Sequence, residues 1–189
     1  MKILLTHGYF LHEDPKEKEI MKPYPPLGLL YISAYLEQQG YDNEVFDSTF
    51  SDFETLKQRL LTSPPDVIGI YTNLMTKLNV LKLIQFIKAQ QLATKIILGG
   101  PEVRNHKENF LKHGADVIVF GEGEETMLEL VKCFETNSSI AGIAGIAYKD
   151  STGAVIVNTE RELKRELDVL PLPNRKKIDL QRYFTKCKN

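Results

Sequence analysis

His7 and His12 lie just beyond the first apolar run of the chain, and Glu122 and Glu124 alternate with glycine in Gly121-Glu-Gly-Glu124. An imidazole can take up a proton or coordinate a metal, and a carboxylate can shuttle protons. No nucleophile–base set and no paired carboxylates accompany them. As lone loop residues, His7 and His12 read as surface groups. Glu122 and Glu124 read as favourable charges at a helix start, and His106 and His113 as solvated residues on a polar helix. No catalytic residue and no protein ligand to a metal is assigned.

A stronger signal comes from side chains that are missing. Ile96-Ile97-Leu98 is an apolar run without polar alternation, and it stops at Gly99-Gly100-Pro101. Two glycines in a row let something flat lie against the backbone. In an open parallel sheet, ligands sit beyond the carboxyl ends of the strands, where this pair falls.

The elements that position these loops are legible along the chain. Ile3-Leu4-Leu5, Glu44-Val-Phe-Asp47, Asp66-Val-Ile-Gly-Ile-Tyr71, the Gly-Gly strand and Val117-Ile-Val-Phe120 read as five strands. Between them, helical spacing recurs in Leu27/Leu30/Tyr31/Ala34/Leu36 closed by Gly40, in Phe53/Leu56/Leu60/Leu61 and in Leu74/Leu78/Leu81/Ile84/Ile87. It returns around Phe110 and Leu111, and in Met127/Leu128/Leu130/Val131/Phe134. Such alternation specifies an α/β, three-layer αβα, doubly wound five-stranded parallel sheet. Residues 1–136 form that domain. Residues 137–160 read as a small β-hairpin around Asp150-Ser-Thr-Gly153, and 161–189 as a linker leaving the domain.

The chain has 189 residues and a formal net charge of −1, which excludes a general nucleic-acid binder. No apolar run reaches the length of a membrane span, and the start is a strand rather than a signal sequence. Cys133 and Cys187 show no metal or redox spacing, so the expected setting is cytoplasmic. There is no G-x-G-x-x-G after the first strand and no G-x-x-x-x-G-K-[ST] anywhere, which rules out dinucleotide and P-loop sites. Thr6-His7-Gly8 lacks the acidic residues that a magnesium-binding receiver domain needs there.

Spacing then becomes informative. Thr72-Asn73-Leu74, twenty-four further residues and Gly99-Gly100 resemble the S-x-L and G-G signatures of cobalamin-binding domains. The third signature of that family, D-x-H-x-x-G, aligns with Pro23-Tyr24-Pro25-Pro26-Leu27-Gly28, where Asp and His are both replaced by proline. With its Gly121-Glu122-Gly123-Glu124 loop and its Asp168-Val-Leu-Pro-Leu-Pro-Asn174 tail, the chain resembles the N-terminal domain of cobalamin-dependent radical SAM enzymes.

The resemblance implies a flavodoxin-like sheet of the cobalamin-binding type, with cobalamin's nucleotide tail inserted in a slot beside Thr72, which Leu74 packs and Gly99 and Gly100 clear. The site it implies comprises Tyr24, Pro25, Pro26, Leu27 and Gly28; Thr72, Asn73 and Leu74; Gly99, Gly100 and Pro101; and Gly121, Glu122 and Gly123. A branched side chain at Gly100 is expected to block the slot and leave the protein folded. With Pro25 in the histidine's place, the lower face of the cobalt is left to water, to nothing, or to an apolar wall of Tyr24, Pro25, Pro26 and Leu27. His7 and His12 are its rivals.

The C-x-x-x-C-x-x-C that would hold an iron–sulfur cluster is absent. Cluster and S-adenosylmethionine are accordingly expected in a radical SAM catalytic domain outside this chain, which performs methyl transfer or ring formation or rearrangement. Two other readings use the same cleft: a small stand-alone αβ enzyme with Glu122 or His7 as acid–base group, and a cofactor-free interaction domain.

Overall fold

The computed structural model of the protein describes residues 1–13, 15, 19 and 22–186. Cys187 and the end of the Lys-rich tail lie outside them, as does part of the proline-containing connection before Pro26.

The strands are β1 (Ile3–His7), β2 (Glu44–Phe46), β3 (Val67–Tyr71), β4 (Lys95–Gly99), β5 (Val117–Val119), β6 (Ile146–Lys149) and β7 (Val155–Val157). They form one sheet in the order β2-β1-β3-β4-β5-β6-β7. The first five are parallel as expected, and β1 pairs with both β2 and β3. The order reverses beside β1, which opens a crevice at the carboxyl edge. The hairpin is no detached appendage. Strand β6 pairs antiparallel with β5 and β7 with β6, so the sheet has seven strands.

The helices are α1 (Leu27–Gln38), α2 (Phe53–Thr62), α3 (Lys77–Ala89), α4 (Lys107–Lys112), α5 (Glu124–Thr136) and α6 (Leu180–Lys186). Strand residues alternate between two cores because successive side chains point to opposite faces. Ile68, Ile70, Ile96 and Leu98 pack with α2, α3 and α4. Leu5, Ile97, Val117 and Val119 pack with α1 and α5 on the other face. That two-sided burial explains why the strands read as unbroken apolar runs.

Local chemistry sets the helix ends. Pro25 and Pro26 precede α1, since proline at a helix interior would break its bonding, and Gly40 ends it at φ +87°. Asp52 caps α2 by accepting from the Thr55 amide at 2.7 Å. Helix α3 corrects one expectation. Its buried face is Val80, Leu83, Ile84 and Ile87, whereas Leu74 is 76% and Leu78 70% exposed. Leu74 precedes the helix, in a turn where Asn73 Oδ1 accepts from the Thr76 amide and Thr76 Oγ1 from the Asn73 amide.

A second correction concerns the tail. The stretch read as a linker leaving the domain lies back along it. The Asn174 amide donates to the Leu30 carbonyl at 3.0 Å, and Lys177 pairs with Glu37 at 2.6 Å. Tyr183 is 3% exposed. Polar anchors spaced along an extended strap make these contacts, and they leave no hydrophobic periodicity in the sequence.

Gly100 shows how tightly the β4 end is built. Its φ is +104°, and a Cβ there would stand 2.4 Å from the Thr72 carbonyl oxygen. Gly100→Ala is therefore expected to destabilise the fold by about 3 kcal/mol or more, read as a lower denaturation midpoint, because backbone strain and a backbone clash add. A midpoint equal to the unaltered protein's would contradict this close approach.

Candidate functional site

Two neighbouring cavities open at the carboxyl edge of the sheet. The first, of about 300 Å³, lies under the Tyr24-Pro25-Pro26-Leu27-Gly28 segment and reaches His7, Tyr9 and Thr49, with Tyr71 and Asn73 along its side. Its walls are mainly aromatic and aliphatic. The second, of about 280 Å³, is a slot between the sheet and helices α1 and α5. Gly28, Leu29 and Tyr71 belong to both.

The slot is built from absent side chains. Gly28, Gly69, Gly99, Gly100, Gly121 and Gly123 all line it, with Leu5, Ile97 and Val119 from the strands and Ile32 and Met127 from the helices. A Cβ on Gly99 would meet nothing nearer than the Val119 carbonyl oxygen at 4.0 Å, and one on Gly28 nothing within 4 Å. At these two positions the backbone gives onto open space. Volume and apolar lining suit a small flat group rather than a whole macrocycle, since pockets for complete ligands run to about 300–1,000 Å³.

Beside Gly100, Thr72 is fully buried, and its Oγ1 has no hydrogen-bond partner among the described residues. A buried hydroxyl left unpaired costs about 1–3 kcal/mol. Its backbone is engaged, the amide donating to the Gly99 carbonyl at 2.8 Å. The orphaned hydroxyl belongs to a residue packed directly behind Gly100, which lines the slot.

Of the titratable candidates, Glu124 lines the slot, whereas His7 and Glu122 are engaged by other groups. His7, expected at the surface, is 4% exposed at the end of β1. Its Nδ1 accepts from the Tyr9 amide at 3.2 Å, so the proton sits on Nε2, which donates to Asp47 Oδ1 at 3.1 Å. Both nitrogens are thus in use, and neither lone pair is open to a metal or a substrate proton. Burial alone would push the Asp47 carboxyl up; hydrogen bonds from His7, Tyr183 and Thr49 outweigh it and hold the group below the ordinary carboxylate range. His12 is exposed and lines neither cavity.

Glu122 Oε2 accepts from the Lys164 amide at 3.0 Å, and Arg161 pairs with Glu125 and Glu129. The hydrogen bond from Lys164 holds Glu125 below the usual carboxylate range. These glutamates fasten the strap to α5 and have little freedom to act as acid–base groups. Among the described residues, no cluster of three or more His, Cys, Asp or Glu could hold a metal ion.

Of the residues named from sequence, Tyr24, Pro25, Pro26, Leu27, Gly28 and Asn73 line the first cavity, and Gly28, Gly99, Gly100, Gly121, Glu122 and Gly123 line the slot. Thr72 lies next to the slot without lining it. Leu74 does not pack there: it is exposed and reaches neither cavity, as does Pro101, which opens a short 3-10 turn. Gly69, Tyr71, Ile32 and Met127 were not anticipated. Gly69 had a readable signal, a glycine interrupting a strand otherwise made of large apolar residues.

The site is thus a doubly wound sheet whose carboxyl edge carries a glycine-lined slot beside a second, mainly apolar cavity. The chain belongs to the B12-binding domain family, whose model matches residues 19–131. An uncharacterized methyltransferase of Pyrococcus horikoshii is 27% identical over 166 residues, covering 84% of this chain and 35% of that protein. The anaerobic magnesium-protoporphyrin IX monomethyl ester cyclase of Rubrivivax gelatinosus is 27% identical over 176 residues, covering 89% and 31%.

The fold is that of the cobalamin-dependent S-adenosylmethionine radical enzyme OxsB with aqua-cobalamin bound, at a TM-score of 0.78 and 23% identity, over 97% of this chain and 25% of that one. The Kitasatospora setae radical S-adenosylmethionine methyltransferase TsrM, with cobalamin and a [4Fe-4S] cluster bound, superposes with a TM-score of 0.68 at 19% identity over 90% and 31%. The resemblance to the cobalamin domains of radical SAM enzymes therefore stands. The chain spans about a third or less of each of these proteins. No helix among the described residues is long and apolar enough to cross a membrane.

Proposed function

We propose that this chain is a cobalamin-binding module. In this reading the cofactor's nucleotide tail lies in the slot over Gly99 and Gly100, and the Tyr24–Gly28 segment faces the corrin. The observation that carries it is the buried, unpaired Thr72 hydroxyl beside a slot lined by six glycines. When bound, cobalamin supplies a cobalt centre able to carry a methyl group or change oxidation state. The chain's own residues hold and orient it. Gly28 and Gly99 clear the path, Ile97, Val119 and Met127 exclude water from it, and Thr72 offers a hydroxyl to a polar atom of the tail.

The module serves a radical SAM catalytic domain, in the same chain or as a separate partner, where S-adenosylmethionine and an iron–sulfur cluster belong. Relatives named as a methyltransferase and a ring-forming cyclase support methyl transfer or ring formation as the reaction class. Hydroxocobalamin mixed with the purified chain and then desalted tests the binding: a coloured protein fraction supports it, and a colourless one refutes it.

Thr72→Val gives a two-sided check. Valine matches threonine in shape and removes the unpaired hydroxyl, so the ligand-free protein is expected to melt at the same temperature or higher. Cobalamin binding is expected to weaken by about 1–2 kcal/mol, the cost of a lost buried hydrogen bond. Unchanged affinity in a titration would show that Thr72 only fills space.

A further inference from the structure

We propose that Tyr183, on the C-terminal helix, is a positioning residue for the cofactor end of the domain: acting through Asp47, it fixes the imidazole of His7 as a wall of the first cavity. The assignment of that cavity to cobalamin rests on the function proposed above. The positioning itself is a property of the ligand-free chain.

The contacts form an unbroken path. The Tyr183 hydroxyl donates to Asp47 Oδ2 at 2.6 Å and lies 3.0 Å from Thr49 Oγ1. Asp47 Oδ1 accepts from His7 Nε2 at 3.1 Å and from the Thr49 amide at 3.1 Å. His7 Nδ1 in turn accepts the Tyr9 amide at 3.2 Å. His7, Tyr9 and Thr49 all line the first cavity. A residue far along the chain thereby reaches the wall of a site at the ends of β1 and β3.

The anchor is built to stay. The Tyr183 ring stands edge-on to Phe50 with centroids 4.7 Å apart, and Arg182 covers Phe50 at 4.7 Å while donating to its carbonyl at 3.1 Å. Burial, with the Asp47 charge second, pushes the phenol well above its ordinary range and keeps it a donor. Without that donor, Asp47 keeps one fewer partner on the oxygen turned away from His7. Its carboxylate is then held through Oδ1 alone, by His7 and the Thr49 amide, and the imidazole is less firmly oriented.

Amide hydrogen exchange resolved by residue, on the ligand-free protein, tests this with Tyr183→Phe, which keeps the ring and removes only the hydroxyl. Exchange at the Tyr9 amide is expected to rise roughly tenfold or more, with strand amides such as Leu4 and Leu5 unchanged. Long-range proton–nitrogen spectra of the His7 ring are expected to lose the single Nε2–H tautomer. Phe184→Ser, on the exposed side of the same helix, is expected to change neither. Unchanged Tyr9 exchange in Tyr183→Phe overturns the proposal, and so does a rise shared equally by Leu4 and Leu5, which reports lost stability alone. Failure of the unaltered chain to retain hydroxocobalamin would refute the cofactor assignment and leave these exchange results standing.

Discussion

Mixed with hydroxocobalamin and desalted, a folded Gly99→Leu protein is expected to emerge colourless where the unaltered chain emerges red. Gly99 has an ordinary φ, and its Cβ position faces open space up to the Val119 carbonyl at 4.0 Å. A leucine there grows into the slot and not into the protein. Filling the path of a rigid group removes its burial and adds a clash, so affinity is expected to fall at least a hundredfold, about 3 kcal/mol. Gly100 is unsuited to this test, contrary to expectation from the sequence. Its positive φ and the 2.4 Å approach to Thr72 would damage the fold before any ligand arrived. Equal colour in a folded Gly99→Leu protein, verified by circular dichroism and melting, would displace the tail from this slot.

The second expected result is spectroscopic. Loaded with cob(II)alamin, the chain is expected to show electron paramagnetic resonance lines without the triplet splitting that a coordinated nitrogen imposes. Pro25, at the first cavity, has no donor atom, and both nitrogens of His7 are already paired. In the proposed reading, tail insertion would also keep the cofactor's own benzimidazole away from the cobalt. Pro25→His places an imidazole in the segment facing the corrin, and the triplet is expected to appear in that variant. A triplet in the unaltered protein that disappears in His7→Ala or His12→Ala would refute the ligand-free lower face.

Helices and strands were legible in the sequence because burial on both sheet faces leaves an apolar signature that short-range spacing preserves. The glycines of the slot were legible for a related reason: a missing side chain at the end of Ile96-Ile97-Leu98 is conspicuous. Leu74 was misassigned because its spacing continued the helical pattern, while the paired Asn73 and Thr76 turn that decides its direction is a matter of hydrogen bonding. The tail failed for the opposite reason. Asn174, Lys177 and Tyr183 attach through polar contacts to residues more than a hundred positions away, and nothing local announces such partners.

The slot is cut mainly into one of the two cores. Leu5, Ile97, Val119 and Met127 hold the α1 and α5 layer to the sheet and also wall the slot, whereas of the core packed by α2, α3 and α4, Ile70 alone among the described residues reaches it. Under the proposed function the cofactor would be a structural component chiefly of the α1 and α5 layer. Occupancy lends stability in proportion to the logarithm of free ligand over its dissociation constant, and that gain is deposited on one side of the sheet. A module that binds as proposed would be two materials in one chain: a half set by its own packing, and a half whose stiffness follows the supply of vitamin.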